Sequence, residues 1–288
     1  MVAFWPGERE PRYNGKKLSE WIEIDVDGIS RRDYSLQAEA VKAIQTMGTN
    51  ALPCLLKWGW HDAPDWQRRA AEKCKQLGLN WPERWVMEKV RNSQNAWMTM
   101  RMLGAKARTG AIPEVSRMAL ESKSPNVVLN SIQFLSETGP DAVPALLEVF
   151  THGRGERRGQ AMHYMSEIPN LGTNGPTVVA VLLQCLGDKN EEMAASAALR
   201  LGEVGLQTKE IIPALIARLR DDRRMVRYCA SRALGNLANN RAVIPELRQA
   251  VPELINAQKD DYPMVREWAT NALLKIAPEA MTNGVRGL

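Results

Sequence analysis

Between Ile211 and Ala238 the apolar positions return twice at a helical period. In the first half Leu215, Ile216 and Leu219 fall on one face. In the second half Val226, Ala230, Ala233, Leu234 and Leu237 form a single apolar stripe. Pro213 suits the first turn of the first helix, where a missing N–H has no partner to lose. Asp221 and Asp222 supply the break and a side-chain cap for the second helix, and Asn239 and Asn240 close the unit. The stretch predicts a helical hairpin whose small Ala230 and Ala233 let another helix approach closely.

The pattern recurs. Aligning on the small residue of the second helix gives Ala40, Ala70, Ala96, Ser131, Ala161, Ala195, Ala230 and Ala269. The proline that opens each first helix returns as Pro53, Pro113, Pro144, Pro176, Pro213 and Pro252, and from Pro113 onward the spacings are 31, 32, 37 and 39 residues. Periods of that size indicate stacked helical hairpins.

In chain order, Met1 to Lys17 reads as extended, with a turn at Asn14-Gly15. Leu18 to Ile24 predicts a short capping helix in which Trp21 and Ile22 cover the open end of the stack. Asp25 to Gly28 reads as a loop, and Leu36 to Met47 as a helix with Ala40, Ala43, Ile44 and Met47 inward. From Trp58 to Leu103 the pattern loosens. After Ile112 it becomes regular: Pro113 to Glu121 pairs with Asn126 to Thr138, Pro144 to Phe150 with Glu156 to Glu167, and Pro176 to Leu186 with Glu191 to Val204. Val251 to Ile276 forms the last hairpin, followed by Pro278 and a polar tail. The domain reading is 1–35 for the extended segment and cap, 36–110 for divergent Trp-rich basic repeats, 111–280 for regular repeats, and 281–288 for the tail.

On these residues the chain resembles HEAT repeats, whose first helix opens with Pro and whose second follows an acidic turn and contains Val-Arg. Asp222, Val226 and Arg227 meet that pattern, and Val265 and Arg266 repeat it. Tyr13, Gly15, Lys16, Leu18, Ser19 and Trp21, followed by Gly48 to Pro53, resemble more narrowly the opening of a group of bacterial HEAT-repeat proteins. Gly172-Thr173-Asn174-Gly175-Pro176 echoes the second motif within the chain. The resemblance implies an all-α, right-handed α-solenoid of about seven to eight hairpins, with first helices convex and second helices concave. The fold hosts many unrelated roles, so it does not by itself imply a function.

Charge is regional. Residues 68–117 carry eleven Lys or Arg against four Asp or Glu, although the whole chain is only +5. Six of the nine tryptophans lie between Trp58 and Trp97. Two readings stay open: tryptophans that fill gaps between irregular helices, or an aromatic and basic groove for an anionic partner. Trp81 and Trp85 share a helix face beside Arg84 and Arg91.

Candidate chemistry is sparse. None of His61, His152 and His163 is followed by Glu, so the His-Glu pairs of HEAT-like iron hydroxylases are missing. His61, Asp62 and Asp65 make at most a weak divalent set. Cys54, Cys74, Cys185 and Cys229 lack metal-site spacing and read as small core residues. No phosphate loop, nucleophile elbow or zinc helix occurs, and no apolar run is long enough to span a membrane.

The expectation is therefore a non-enzymatic scaffold, without cofactor or metal, that binds a protein partner along the concave second helices. Its candidate contacts are Trp81, Arg84, Trp85, Arg91, Arg101, Arg224, Arg232 and Arg241. The alternative is nucleic-acid binding through the basic half, more remotely as a DNA glycosylase-like HEAT protein. Arg227 and Arg266 are expected instead in a charge ladder between repeats. The chain reads as a monomer, cytoplasmic as written, or anchored or exported if its start lies upstream.

Overall fold

A computed structural model describes residues 10–60, 65–78 and 81–283, and of residues 65, 66, 68, 71, 81–90 and 281–283 the backbone alone. The chain divides into two compact units, Met1–Ala161 and Met162–Leu288. Nearly every described residue outside the turns is helical.

The first unit opens with two short antiparallel strands, β1 (Arg12–Tyr13) and β2 (Lys16–Lys17). Asn14 and Gly15 turn between them with φ of 47° and 81°, the left-handed pair that a tight hairpin requires. Helix α1 then runs Leu18–Arg31, so the loop expected at Asp25 to Gly28 is helix instead. The physical reason is a close crossing with α2 (Tyr34–Met47). A Cβ on Gly28 would stand 2.9 Å from the Gln37 nitrogen, and Asp25 is buried. Packing sets this segment, and turn composition does not. Ala40, Ala43, Ile44 and Met47 point inward as their spacing requires.

A 3-10 turn, Gly48–Ala51, leads into α3 (Leu52–Trp60). Helices α4 (Asp65–Gln76), α5 (Trp81–Met102), α6 (Ala105–Glu121), α7 (Pro125–Thr138) and α8 (Val143–His152) follow. Helix α9 (Glu156–Ser166) runs through the unit boundary. Two expectations fail here. Ala70 is exposed beside Arg69, Glu72 and Lys73, because polar α4 does not continue the repeat register. Pro113 lies inside α6 rather than at its start, since buried Ala107 and Ala111 extend the helix upstream.

In the second unit, α10 (Gly175–Leu186) pairs with α11 (Glu191–Val204), and α12 (Thr208–Arg218) with α13 (Arg224–Leu237). After the short α14 (Ile244–Leu247), α15 (Val251–Ala257) pairs with α16 (Pro263–Ile276). Helix α17 (Pro278–Asn283) continues where a tail was expected from Met281; residues 284–288 lie outside the described residues. Pro213 again lies within its helix, α12. Ile211 and Ile212 are fully buried, and their burial draws the helix upstream past the proline.

Second helices α11, α13 and α16 pack directly on one another. A Cβ on Gly202 would fall 2.5 Å from the Ala233 Cα. One repeat later, a Cβ on Gly235 would meet the Ala272 Cβ at 3.6 Å. The close approach expected at Ala233 is thus present and is repeated. Counted from the N-caps Ser124, Asn190, Arg223 and Tyr262, the equivalent small residues are Ser131, Ala197, Ala230 and Ala269. Ala197 therefore takes the place assigned to Ala195, which is buried two positions earlier.

Capping differs in detail from expectation. Arg223 is the N-cap of α13 and has no side-chain cap bond. Asp221 instead accepts from the Arg223 N–H at 3.1 Å, and Glu191 of α11 accepts from Met225 N–H at 3.2 Å. Asn239 and Asn240 are not left-handed. Asn240 caps the next turn through the Ala242 N–H, and Asn239 accepts from Lys275 Nζ at 2.9 Å.

Candidate interaction surface

The opening motif residues build the end cover. Trp21 is buried, and its indole N–H donates to the Tyr13 carbonyl at 3.0 Å. The Tyr13 ring lies 6.2 Å from the Trp21 ring, and Lys16 Nζ stands 4.6 Å from its centroid. Leu18 N–H donates to Pro11 and Ser19 N–H to Glu10. Gly48 and Gly172 share a further role: both have positive φ, 52° and 55°, and both begin a 3-10 turn that delivers a proline into the first turn of α3 or α10. Glycine adopts that conformation without the Cβ penalty.

In the basic, Trp-rich region the described rings pack. Trp97 is 1% exposed and meets Phe134 edge-on at 6.1 Å. It fits because a Cβ on Gly59 of α3 would already touch it at 3.3 Å. Trp60 lies under Arg117 at 4.8 Å, and Arg117 is held by Glu114 and Glu121. Trp60, Arg117, Pro53 and Leu56 line an open groove of about 410 Å³. Trp81, Arg84 and Trp85 share helix α5, but their side chains lie outside the described residues. Arg91 is exposed on a groove of about 550 Å³ that also carries Glu20, Glu23 and Asp27. Arg101 is paired with Glu137 of α7 at 2.8 Å.

The second unit carries the expected ladder and shows its geometry. Arg227 grips Asp260 with two bonds, 2.7 and 3.0 Å, and Asp261 at 2.6 Å, while also donating to the carbonyls of Asp221 and Asp222. Its carboxylate partners lie in the next acidic turn. Arg266 donates to the carbonyls of Asp260 and Asp261 and so repeats half of the arrangement. Arg223, which the sequence did not single out, reaches back to the Asp188 carbonyl at 2.7 Å and clasps Asp221. Bonds from Arg223, together with that from Arg218, hold the Asp221 carboxyl down to about 2.

Of the candidate contacts here, Arg224 and Arg232 come together on α13. The Arg224 guanidinium lies 5.3 Å over the ring of Tyr262, and that of Arg232 lies 5.3 Å over Trp268. Arg232 also donates to the Tyr228 hydroxyl at 3.3 Å. Arg241 is exposed in the turn Arg241–Val243. The aromatic partners belong to the following repeat. Their spacing from the arginines carries no short-range signal.

Chemistry is thin elsewhere. Among the described residues no group of three or more His, Cys, Asp or Glu could hold a metal ion; His61 and Asp62, and the side chain of Asp65, lie outside them. Cys54, Cys185 and Cys229 are buried and Cys74 is half-buried. Burial pushes the Cys229 thiol up to about 11. His163 is pushed below its ordinary value by burial and by Arg200, whose guanidinium lies 2.6 Å away. Among the described residues no helix is long and apolar enough to cross a membrane.

Residues 179–273 match the family model for HEAT repeats. That segment, about a third of the chain, carries HEAT repeats, and the stacked hairpins around it make the fold an all-α solenoid; the match carries the repeat and not the narrower bacterial grouping or the opening motif. A crystal structure of a Kap121p mutant is similar with TM-score 0.54 and 12% identity, over 90% of this chain and 30% of that one. An engineered protein is similar at TM-score 0.42 and 19% identity, over 65% of this chain and 91% of that one. A designed armadillo repeat protein is similar at TM-score 0.33 and 16% identity, over 90% and 100%. No curated protein matches the chain.

Proposed function

We propose that this chain is a non-enzymatic scaffold, acting as a monomer, that holds a protein partner along the exposed, concave face of its second helices. The observation that supports this most is the edge-to-edge packing of α11, α13 and α16 through Gly202 on Ala233 and Gly235 on Ala272. It turns separate helices into one continuous strip of outward side chains. Arg224 and Arg232 stand on that strip, and Arg241 follows in the next turn. In the first unit the corresponding contacts are Trp81, Arg84, Trp85, Arg91 and Arg101.

Nucleic-acid binding has less support. Trp97 and Trp60 are engaged in packing, Arg101 is neutralised by Glu137, and Arg91 shares its groove with three carboxylates. A phosphate backbone would meet those carboxylates as well as the arginine.

Photo-crosslinking groups placed at Asn236 and Asn271 on second helices, and at Gln184 and Ala217 on first helices, test the reading. The partner should crosslink from the second-helix positions only. Crosslinking from the first-helix positions alone would overturn it. Titration with mixed-sequence duplex and single-stranded DNA at about 50 and 200 mM salt tests the alternative, since phosphate-driven affinity falls steeply between them.

A further inference from the structure

The arginines of second helices α11, α13 and α16 are satisfied in different ways. Arg200 holds Glu167 and Glu203, Arg227 holds Asp260 and Asp261, and Arg266 holds two turn carbonyls. Arg224 and Arg232 have no carboxylate within ion-pair reach among the described residues. Both lie instead on rings of the following repeat, Tyr262 at the N-cap of α16 and Trp268 within it, and Arg232 donates one N–H to the Tyr228 hydroxyl. A guanidinium laid on an aromatic ring keeps its in-plane N–H groups available, and those form the fork that takes a carboxylate with two parallel bonds. The ring also fixes the fork before binding, which lowers the cost of ordering it on association.

We propose, resting on the scaffold reading above, that the α13/α16 seam binds an extended acidic peptide segment of a protein partner through two carboxylates, one on Arg224 and one on Arg232. Spacing defines the motif. Eight residues on a helix separate the two arginines by about 12 Å. An extended chain advances about 3.3 Å per residue and alternates faces, so acidic residues four apart lie on one side at about 13 Å. Exposed Met225 and Met264 flank the Arg224 end and offer apolar contact to a residue beside the first carboxylate.

The surrounding charge favours a peptide over a polyanion. Glu192 of α11 and Glu267 of α16 are exposed on the two helices that flank α13. A phosphate backbone carries charge at every step and would be driven against them, whereas a peptide with two spaced carboxylates avoids them.

The test is fluorescence anisotropy of the full chain with labelled twelve-residue peptides. One carries Glu residues four apart in an uncharged background, one carries them two apart, and one has Gln in both places; a single-stranded oligonucleotide is the fourth ligand. The four-apart peptide should bind at least about tenfold more tightly than the other two peptides and more tightly than the oligonucleotide. Arg224→Gln and Arg232→Gln should each lose that preference with an unchanged circular dichroism spectrum. Arg232→Lys should lose most of it, because an ammonium neither stacks nor forks in the same way. Equal binding of the Glu and Gln peptides, retention of binding by the double Gln variant, or tighter binding of the oligonucleotide would overturn the proposal. If no acidic peptide binds while second-helix crosslinks persist, this inference falls and the scaffold reading stands.

Discussion

The two units satisfy their cationic side chains differently. In the second unit arginines at the start of α13 are tied to the backbone and carboxylates of adjacent repeats: Arg223 to the Asp188 carbonyl behind, Arg227 to Asp260 and Asp261 ahead. In the first unit the described contacts include cations over rings, Arg117 over Trp60 and Lys16 over Trp21, beside an ion pair such as Arg101 with Glu137. Cations cover rings in the second unit too, Arg224 over Tyr262 and Arg232 over Trp268, so what distinguishes it is the added ladder that ends on its acidic turns. The difference follows sequence regularity, because a ladder needs the same acidic turn to return at each step.

The sharpest way to break the comparison is to remove the central ring of the first unit. Trp97→Ala should cost about 3–5 kcal/mol, and hydrogen exchange should show protection lost in α3 and α7 while α13 and α16 keep theirs. The mirror experiment is Leu234→Ala. It should cost about 2–5 kcal/mol in the second unit and leave exchange in α1 and α2 unchanged. Equal loss in both units from either variant would mean that the chain unfolds as one cooperative body.

Next comes the helix crossing. Gly202→Ala places a Cβ against the backbone of Ala233 and should destabilise by about 1–3 kcal/mol in urea denaturation. At Gly235 the same substitution meets only ordinary contact and should be neutral or stabilising by up to about 1 kcal/mol through helix propensity. The pair distinguishes a steric requirement from a merely repeated residue.

Acid should act on the ladder. The Asp221 carboxyl lies near 2 in the folded chain, below its ordinary 3.8, so its stabilisation is complete above about pH 5 and is lost as pH falls through 4 towards 2. After allowance for screening, the loss is about 1–2 kcal/mol. Asp221→Asn should flatten that part of the stability profile, measured by denaturation between pH 2 and 6. A smaller loss, about 1 kcal/mol in the same denaturation measurement, is expected from Arg227→Lys, because a lysine can keep the charge but cannot hold Asp260 with two parallel bonds.

Much of this fold was legible because helical burial has a period. The stripe from Val226 to Leu237 and the inward set Ala40, Ala43, Ile44 and Met47 needed nothing beyond spacing. Single-residue signals were less reliable. Pro113 and Pro213 marked helices correctly but not their starts, since burial upstream extended them. Gly28 looked like a loop residue, yet its missing side chain serves a helix crossing. On the candidate surface, the sequence singled out Arg224 and Arg232 without the rings that hold them. Tyr262 and Trp268 lie more than thirty residues downstream, and only the repeat register brings them underneath.

In the second unit the stacked second helices α11, α13 and α16 are each 14 residues long, although the prolines of their hairpins, Pro176, Pro213 and Pro252, are spaced 37 and 39 residues apart. The connectors absorb the variation. Each helix thus spans about 21 Å, a uniform lane width set by the repeat rather than by its spacing. Evolution can lengthen or shorten such a lane one hairpin at a time without recutting its breadth. On the proposed binding face, selectivity would reside in the order of side chains met along the lane, which point substitutions can rewrite while the fold stays as it is.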